Sequence, residues 1–364
     1  MNKKTAAIIL IILFFTLVSS GCLDFFTDTS TTYQAYPTKI TYNIRYGYNL
    51  YCTGVRGYEI HYNCYKPEIL LGSITHLKLL YNESYTLTQL ANNDIVFWNV
   101  SGNSNQNYTL GISADVQVES FLVPDLSGKN ALTIQEIKQL YPDIVKQYCH
   151  KQSNGTTVFI DPSYPDIKTT ATLIKNQSQT NNSFIIAKSL FSWLKENTDY
   201  QIHGSESAVQ SSSKTYQLKT GDCDDLSFLY ISLCRSVGIP ARFIRGYLIS
   251  ENNGAITLGP HAWAEVFVGG SIGNNGWIPV ECAGSASSIQ TEIHQNFGVE
   301  NIEHLRLFID DGSNESINLS MSAISWTYSG DGEITANSFT ELNDYIVLEE
   351  KQLVVTEEGA RSYI

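Results

Sequence analysis

Residues Gly221–Tyr247, GDCDDLSFLYISLCRSVGIPARFIRGY, decide how this chain is read. Leu226, Leu229, Leu233 and Val237 recur at helical spacing, Gly238 is placed to stop the helix, and Pro240 lies just beyond it. Cys223 therefore falls on the first helical turn, where unpaired backbone N–H groups and the positive end of the helix dipole favour a thiolate. Asp222, Asp224 and Asp225 pull the other way. They also stabilise the helix start, so the same turn suits a purely structural role. To be a nucleophile the thiol needs a base.

The stretch GPHAWAEVFVGG, residues 259–270, offers one. His261, Trp263, Glu265 and Phe267 alternate with Ala262, Ala264, Val266 and Val268, the period of a strand. GGSIGNNG then turns the chain into WIPVE, residues 277–281. If the two runs pair as a hairpin, His261 comes close to Glu281. A carboxylate on one imidazole nitrogen fixes the tautomer and leaves the other nitrogen to face a thiol. Trp263 is a candidate wall for a substrate pocket, or else a core tryptophan of the sheet. Cys234 lies about three helical turns beyond Cys223 and reads as a buried free thiol.

Composition sets the surroundings. The chain has 364 residues, enough for two or three domains, and 43% of them are hydrophobic. Only 16% are charged, below the usual quarter, so the surface is polar but weakly charged. Lys3 and Lys4, an apolar run from Ala6 to Val18 and a small-residue end at Ser19–Cys22 follow the order of an export signal. The 13-residue run is too short to span a bilayer as a helix, and the ending resembles a lipoprotein signal with Cys22 as lipid attachment site. Residues 1–22 hold two of the 23 basic and none of the 36 acidic residues, so the remainder carries a net charge of −15. That charge repels nucleic acid. Asn-x-Ser/Thr triplets at Asn82, Asn99, Asn107, Asn154, Asn176, Asn181, Asn314 and Asn318 fit an exported glycoprotein. Export favours paired thiols, and Cys52 and Cys64 are expected to close a hairpin as a disulfide, with the pairing of Cys149, Cys223, Cys234 and Cys282 left open. The absence of any Cys-x-x-Cys argues against a cysteine-based metal site.

Five segments follow along the chain: an export segment over 1–22, a β-rich sandwich-like domain over 23–125, a helical connector over 126–154, a catalytic core over 155–310 and a β-rich extension over 311–364. In the first domain Trp98 is expected in the core. TIQEIKQLYPDIVKQY and SFIIAKSLFSWLKENTDY read as helices.

The blocks GDCDDLSFLYISLCRSVGIPARFIRGY, HAWAEVFV and GWIPVE resemble the transglutaminase-like cysteine acyl-transfer enzymes. The resemblance covers about residues 155–300 and implies an α+β, papain-like core with a Cys-His-acid triad, often preceded by a β domain. It assigns Cys223 as nucleophile, His261 as general base and acid, and Glu281 to the place where the family usually has aspartate; Cys282 replaces a common proline. It implies attack on an amide carbonyl to give a thioester, then hydrolysis by water or transfer to an amine, with a peptide or envelope-polymer substrate. No metal or cofactor is expected; some relatives use calcium, but no Asp-x-Asp-x-Asp-Gly loop occurs here. A catalytically silent domain that binds a surface partner or serves as a structural envelope protein is the alternative.

Overall fold

The computed structural model describes residues 30–202, 209–252, 255–318 and 322–364. The expected export segment and Cys22 lie outside the described residues. After a two-residue strand at Thr31–Thr32 come β1 Tyr36–Thr53, β2 Gly57–Tyr65, β3 Gly72–Leu79, β4 Tyr85–Leu90, β5 Asn93–Gly102 and β6 Gln106–Glu119. Helices α1 Ile134–Leu140, α2 Pro142–Tyr148, α3 Pro165–Gln177, α4 Ser183–Asn197, α5 Ser212–Leu218 and α6 Cys223–Ser236 follow. Then come β7 Ala241–Asn252, β8 Ala255–Phe267, β9 Trp277–Val280, α7 Ile289–Asn296, β10 His304–Ile309, β11 Ser322–Ser329 and β12 Glu333–Lys351, with short strands at Leu353–Val355 and Arg361–Tyr363 after them. The fold is α+β. Among the described residues no helix is long and apolar enough to cross a membrane.

Two four-stranded antiparallel sheets, in the orders β12-β1-β6-β3 and β11-β2-β5-β4, make a sandwich. In β1 every second residue from Thr38 to Tyr46 is buried, as a strand with one covered face requires. Trp98 is fully buried, stacks on Tyr62 and donates its indole N–H to Tyr81 O at 2.9 Å. Residues 23–125 do not complete these sheets by themselves. Segment 311–364 adds one strand to each, because β11 pairs with β2 and β12 with β1.

The expected Cys52–Cys64 disulfide is not formed; both thiols are free and buried. Strands β1 and β2 are not a paired hairpin. They part into opposite sheets after residues 54–56, so Cys52 stays near the turn while Cys64 lies seven residues along β2, about 23 Å away at 3.3 Å per residue. The run TIQEIKQLYPDIVKQY is also two helices rather than one. Pro142 has no N–H to continue the first helix and starts the second instead, with Tyr141 capping both.

The second half folds around one antiparallel sheet in the order β9-β8-β7-β10. Ala262, Ala264 and Val266 of β8 join Leu226, Leu229 and Leu233 of α6 and Ile186 and Leu190 of α4 in one buried cluster. The two alanines let the helix that starts at Cys223 lie close on the strand that carries His261. Ile249, Leu305, Leu307 and Phe308 instead share a core with the sandwich. Two backbone hydrogen bonds between Glu68 and Arg306, at 2.8 and 3.1 Å, and the side chain of Asn93 on both backbone groups of Ile309 join β10 to the sandwich.

Gly246 sets how near β10 comes. It pairs with His261 on one side and Arg306 on the other, beside a bulge, and a Cβ there would lie 1.9 Å from Leu305 O. Gly246→Ala is expected to push β10 outward and lower stability by about 1–3 kcal/mol in urea denaturation. Non-reducing peptide mapping is expected to recover Cys52 and Cys64 on separate peptides.

Candidate active site

The start of α6 is held by side chains. Asp222 is the N-cap, accepting from the Asp225 N–H, while Asp225 accepts from the Asp222 N–H at 3.2 Å, a reciprocal capping box. Asp225 also accepts from Gln210 N and Nε2 at 2.7 and 2.8 Å. Gly221 precedes this turn because a Cβ would sit 2.5 Å from Asp225 Cβ. Two of the three acids flanking the cysteine are thus structural, and Cys223 follows the cap as the first helical residue.

The thiol environment differs from what a helix dipole alone would give. Burial, then the charges of Asp224 and Asp222, push the Cys223 thiol well above its ordinary value, against a smaller pull down from the backbone N–H of Ala262. Cys223 therefore rests as a neutral thiol beside the backbone of β8, at Ala262, the residue that follows His261. Asp224 is itself pushed up to about 6 by burial and by Asp222, with Arg245 and His261 opposing.

The hairpin of β8 and β9 forms as the alternation predicts, Ala264 opposite Val280, and brings His261 to Glu281. His261 Nε2 donates to Glu281 Oε2 at 2.7 Å, which leaves Nδ1 as the ring nitrogen not engaged by that carboxylate. Burial pulls the imidazole down, but Glu281 outweighs it and the net position is above the usual histidine range. For Glu281 burial works upward, and His261 and His304 hold it far below the usual carboxylate range. The acid is firmly placed. Glu281 Oε1 accepts from the Ala283 N–H at 2.7 Å, and Lys195 of α4 donates to the carbonyls of Cys282 and Gly284.

His304 was not singled out in the sequence. Its Nε2 donates to the same Glu281 Oε2 at 2.9 Å, and its Nδ1 meets Asn301 Oδ1 at 2.7 Å. His261, Glu281 and His304 bring three donor atoms within 4.8 Å of one another, a set that could hold a metal ion. Trp263 is not a pocket wall. It is buried, donates from Nε1 to Glu300 Oε2 at 3.0 Å, and packs against both imidazole rings from behind. Glu300 and Glu265 in turn pair with Arg306 at 2.5 and 2.6 Å. Tyr200 was also missed. Half-exposed, on a short strand paired with Thr220–Gly221, its phenol feels Cys223, Asp222 and Glu281.

Along α6 from Asp224, the residue after Cys223, a cavity of about 320 Å³ is lined by Phe159, Asp224, Phe228, Phe243, Arg245 and Ile317, among others. Arg245 lies opposite Ala262 on the neighbouring strand, so this largely apolar space adjoins the Cys223 turn.

The signs of the two shifts fix a pH dependence. The raised His261 contributes stability that is fully present below its unfolded value of 6.5 and is lost as pH rises through the higher folded value. The lowered Glu281 contributes stability that is present above 4.5 and is lost as pH falls toward its folded value. Glu281→Gln is therefore expected to destabilise most between about pH 4.5 and 6.5, with a smaller loss at pH 9, in urea denaturation across pH.

Residues 170–282 match the family model of the transglutaminase-like superfamily, a span containing Cys223, His261 and Glu281. An uncharacterized protein of Bacillus subtilis, YebA, is 34% identical over 76 residues, 18% of this chain and a tenth of that protein's length. A candidate cysteine protease from Cytophaga hutchinsonii, 14% identical, covers 92% of this chain and all of its own at a TM-score of 0.44. The periplasmic domain of TgpA from Pseudomonas aeruginosa, 12% identical, covers 69% of this chain and 92% of its own at 0.33. Residues 170–282, with the thiol, the imidazole and the carboxylate among them, thus match a transglutaminase-like domain.

Proposed function

We propose that the protein is a thiol enzyme that opens peptide or isopeptide amides through a thioester on Cys223, held at the outer face of the membrane through lipid on Cys22. The observation that carries this reading is the His261–Glu281 hydrogen bond at 2.7 Å beside a helix-start thiol that lies against the Ala262 N–H. His261 Nδ1 takes the thiol proton as Sγ attacks the carbonyl, and the oxyanion is met by backbone N–H groups that include Cys223's own. The C–N bond then breaks as His261 returns the proton to the leaving amine. Water or a second amine releases the acyl group, with the cavity lined by Phe159, Phe228 and Phe243 beside the substrate. Because the thiol rests protonated, neutral His261 is the competent form, so acylation rises with pH as His261 loses its proton above 6.5.

The second reading is a silent binding domain, and the burial and acids that hold the thiol protonated favour it. Purified ectodomain incubated with glutamine and isopeptide substrates, with and without a primary amine, separates the two. We expect ammonia release, amide cleavage or amine incorporation. The signal is expected to vanish in Cys223→Ala and to fall about 10²–10⁴-fold in His261→Ala. Identical traces from wild type and Cys223→Ala would select the silent reading.

A further inference from the structure

Acyl transfer by a thiol requires one imidazole, and this site holds two on a single carboxylate oxygen. We propose that His261, Glu281 and His304 form a zinc-binding site whose occupancy switches the thiol chemistry off. The inhibitory consequence rests on the function proposed above; the metal site does not. His261 Nε2, His304 Nε2 and a Glu281 oxygen lie within 4.8 Å of one another, on three different segments of the sheet and its flanks. Imidazole nitrogen and carboxylate oxygen suit zinc, at about 2.0–2.2 Å from the metal, which separates tetrahedral donors by roughly 3.3 Å. To admit the ion the two nitrogen–oxygen contacts, 2.7 and 2.9 Å, open by about half an ångström, and the two imidazole nitrogens, within 4.8 Å of each other, draw together by up to about 1.5 Å.

The outer contacts are those that orient metal ligands. His304 Nδ1 is held by Asn301 Oδ1, and the amide orientation of Asn301 is fixed because its Oδ1 accepts from the Glu303 N–H while its Nδ2 donates to Glu303 Oε2, both at 3.1 Å. The Ala283 N–H holds the other oxygen of Glu281. Thus Nε2 of His304 is directed at the site by partners that acyl transfer does not need. The acidic chain adds a general attraction for cations.

The consequence for chemistry follows from one lone pair. In the working form His261 carries its proton on Nε2, toward Glu281, and accepts from the thiol at Nδ1. Zinc takes the Nε2 lone pair, so the proton of the neutral ring must sit on Nδ1, which then has nothing with which to accept the thiol proton.

Zinc titrated into the folded Cys223→Ala chain against a chromophoric chelator tests the site without any catalysis. One saturable equivalent is expected, weakened at least 10-fold by His304→Ala and about 10-fold by Asn301→Ala, the milder change if the first disturbs folding. In the wild type, zinc is expected to slow iodoacetamide labelling of Cys223 and chelator to restore it. Absence of saturable binding in Cys223→Ala, or equal affinity in the His304 and Asn301 variants, would overturn the site. Zinc binding in a chain that proves inactive on every amide would refute the enzymatic reading alone.

Discussion

A buried carboxylate oxygen shared by two imidazoles is the constraint from which the rest of the site follows. Glu281 comes from the end of β9, His261 from the next strand and His304 from β10, two strands further across the sheet. They meet only because Gly246, on the strand between, has no side chain and lets β10 approach. An isolated charge in this position would be strongly disfavoured, and the two histidines supply what makes it tolerable.

Around the site the buried charges fall into two networks. Glu281 is answered by histidines at the site; Glu265 and Glu300 are answered by Arg306, with Arg242 also on Glu265. Trp263 lies between them, giving its N–H to Glu300 and its ring to His261 and His304. The arginine network also sits where β10 bonds to the sandwich through Glu68. The sandwich is thus continuous with the backing of the sheet that carries His261. At the helix start the balance runs differently. Burial and the charges of Asp224 and Asp222 outweigh the dipole at Cys223, so the helix start by itself does not yield a thiolate.

Local periodicity carried a large part of this. The leucines of α6, the alternation after His261 and the Gly-Asn turn predict a helix start facing a hairpin, and the hairpin register does bring His261 to Glu281. Pairing across distance was not legible. HLRLFID reads as an apolar strand, and nothing in its spacing says that it lies beside β7, so His304 had no signal. The cysteines at 52 and 64 looked like hairpin partners because proximity along the chain was taken for proximity in space. The strands part into different sheets, and the last fifty residues return to finish those sheets.

The sequence by itself determined which residues are helix and which strand around the thiol, and the order of sulfur, imidazole and acid, because these follow from periods of a few residues. Tertiary structure alone decided that the thiol rests protonated, that Trp263 backs the site rather than lining it, and that a second histidine shares Glu281. Those properties depend on burial and on contacts between residues tens or hundreds of positions apart, and sequence spacing does not encode either.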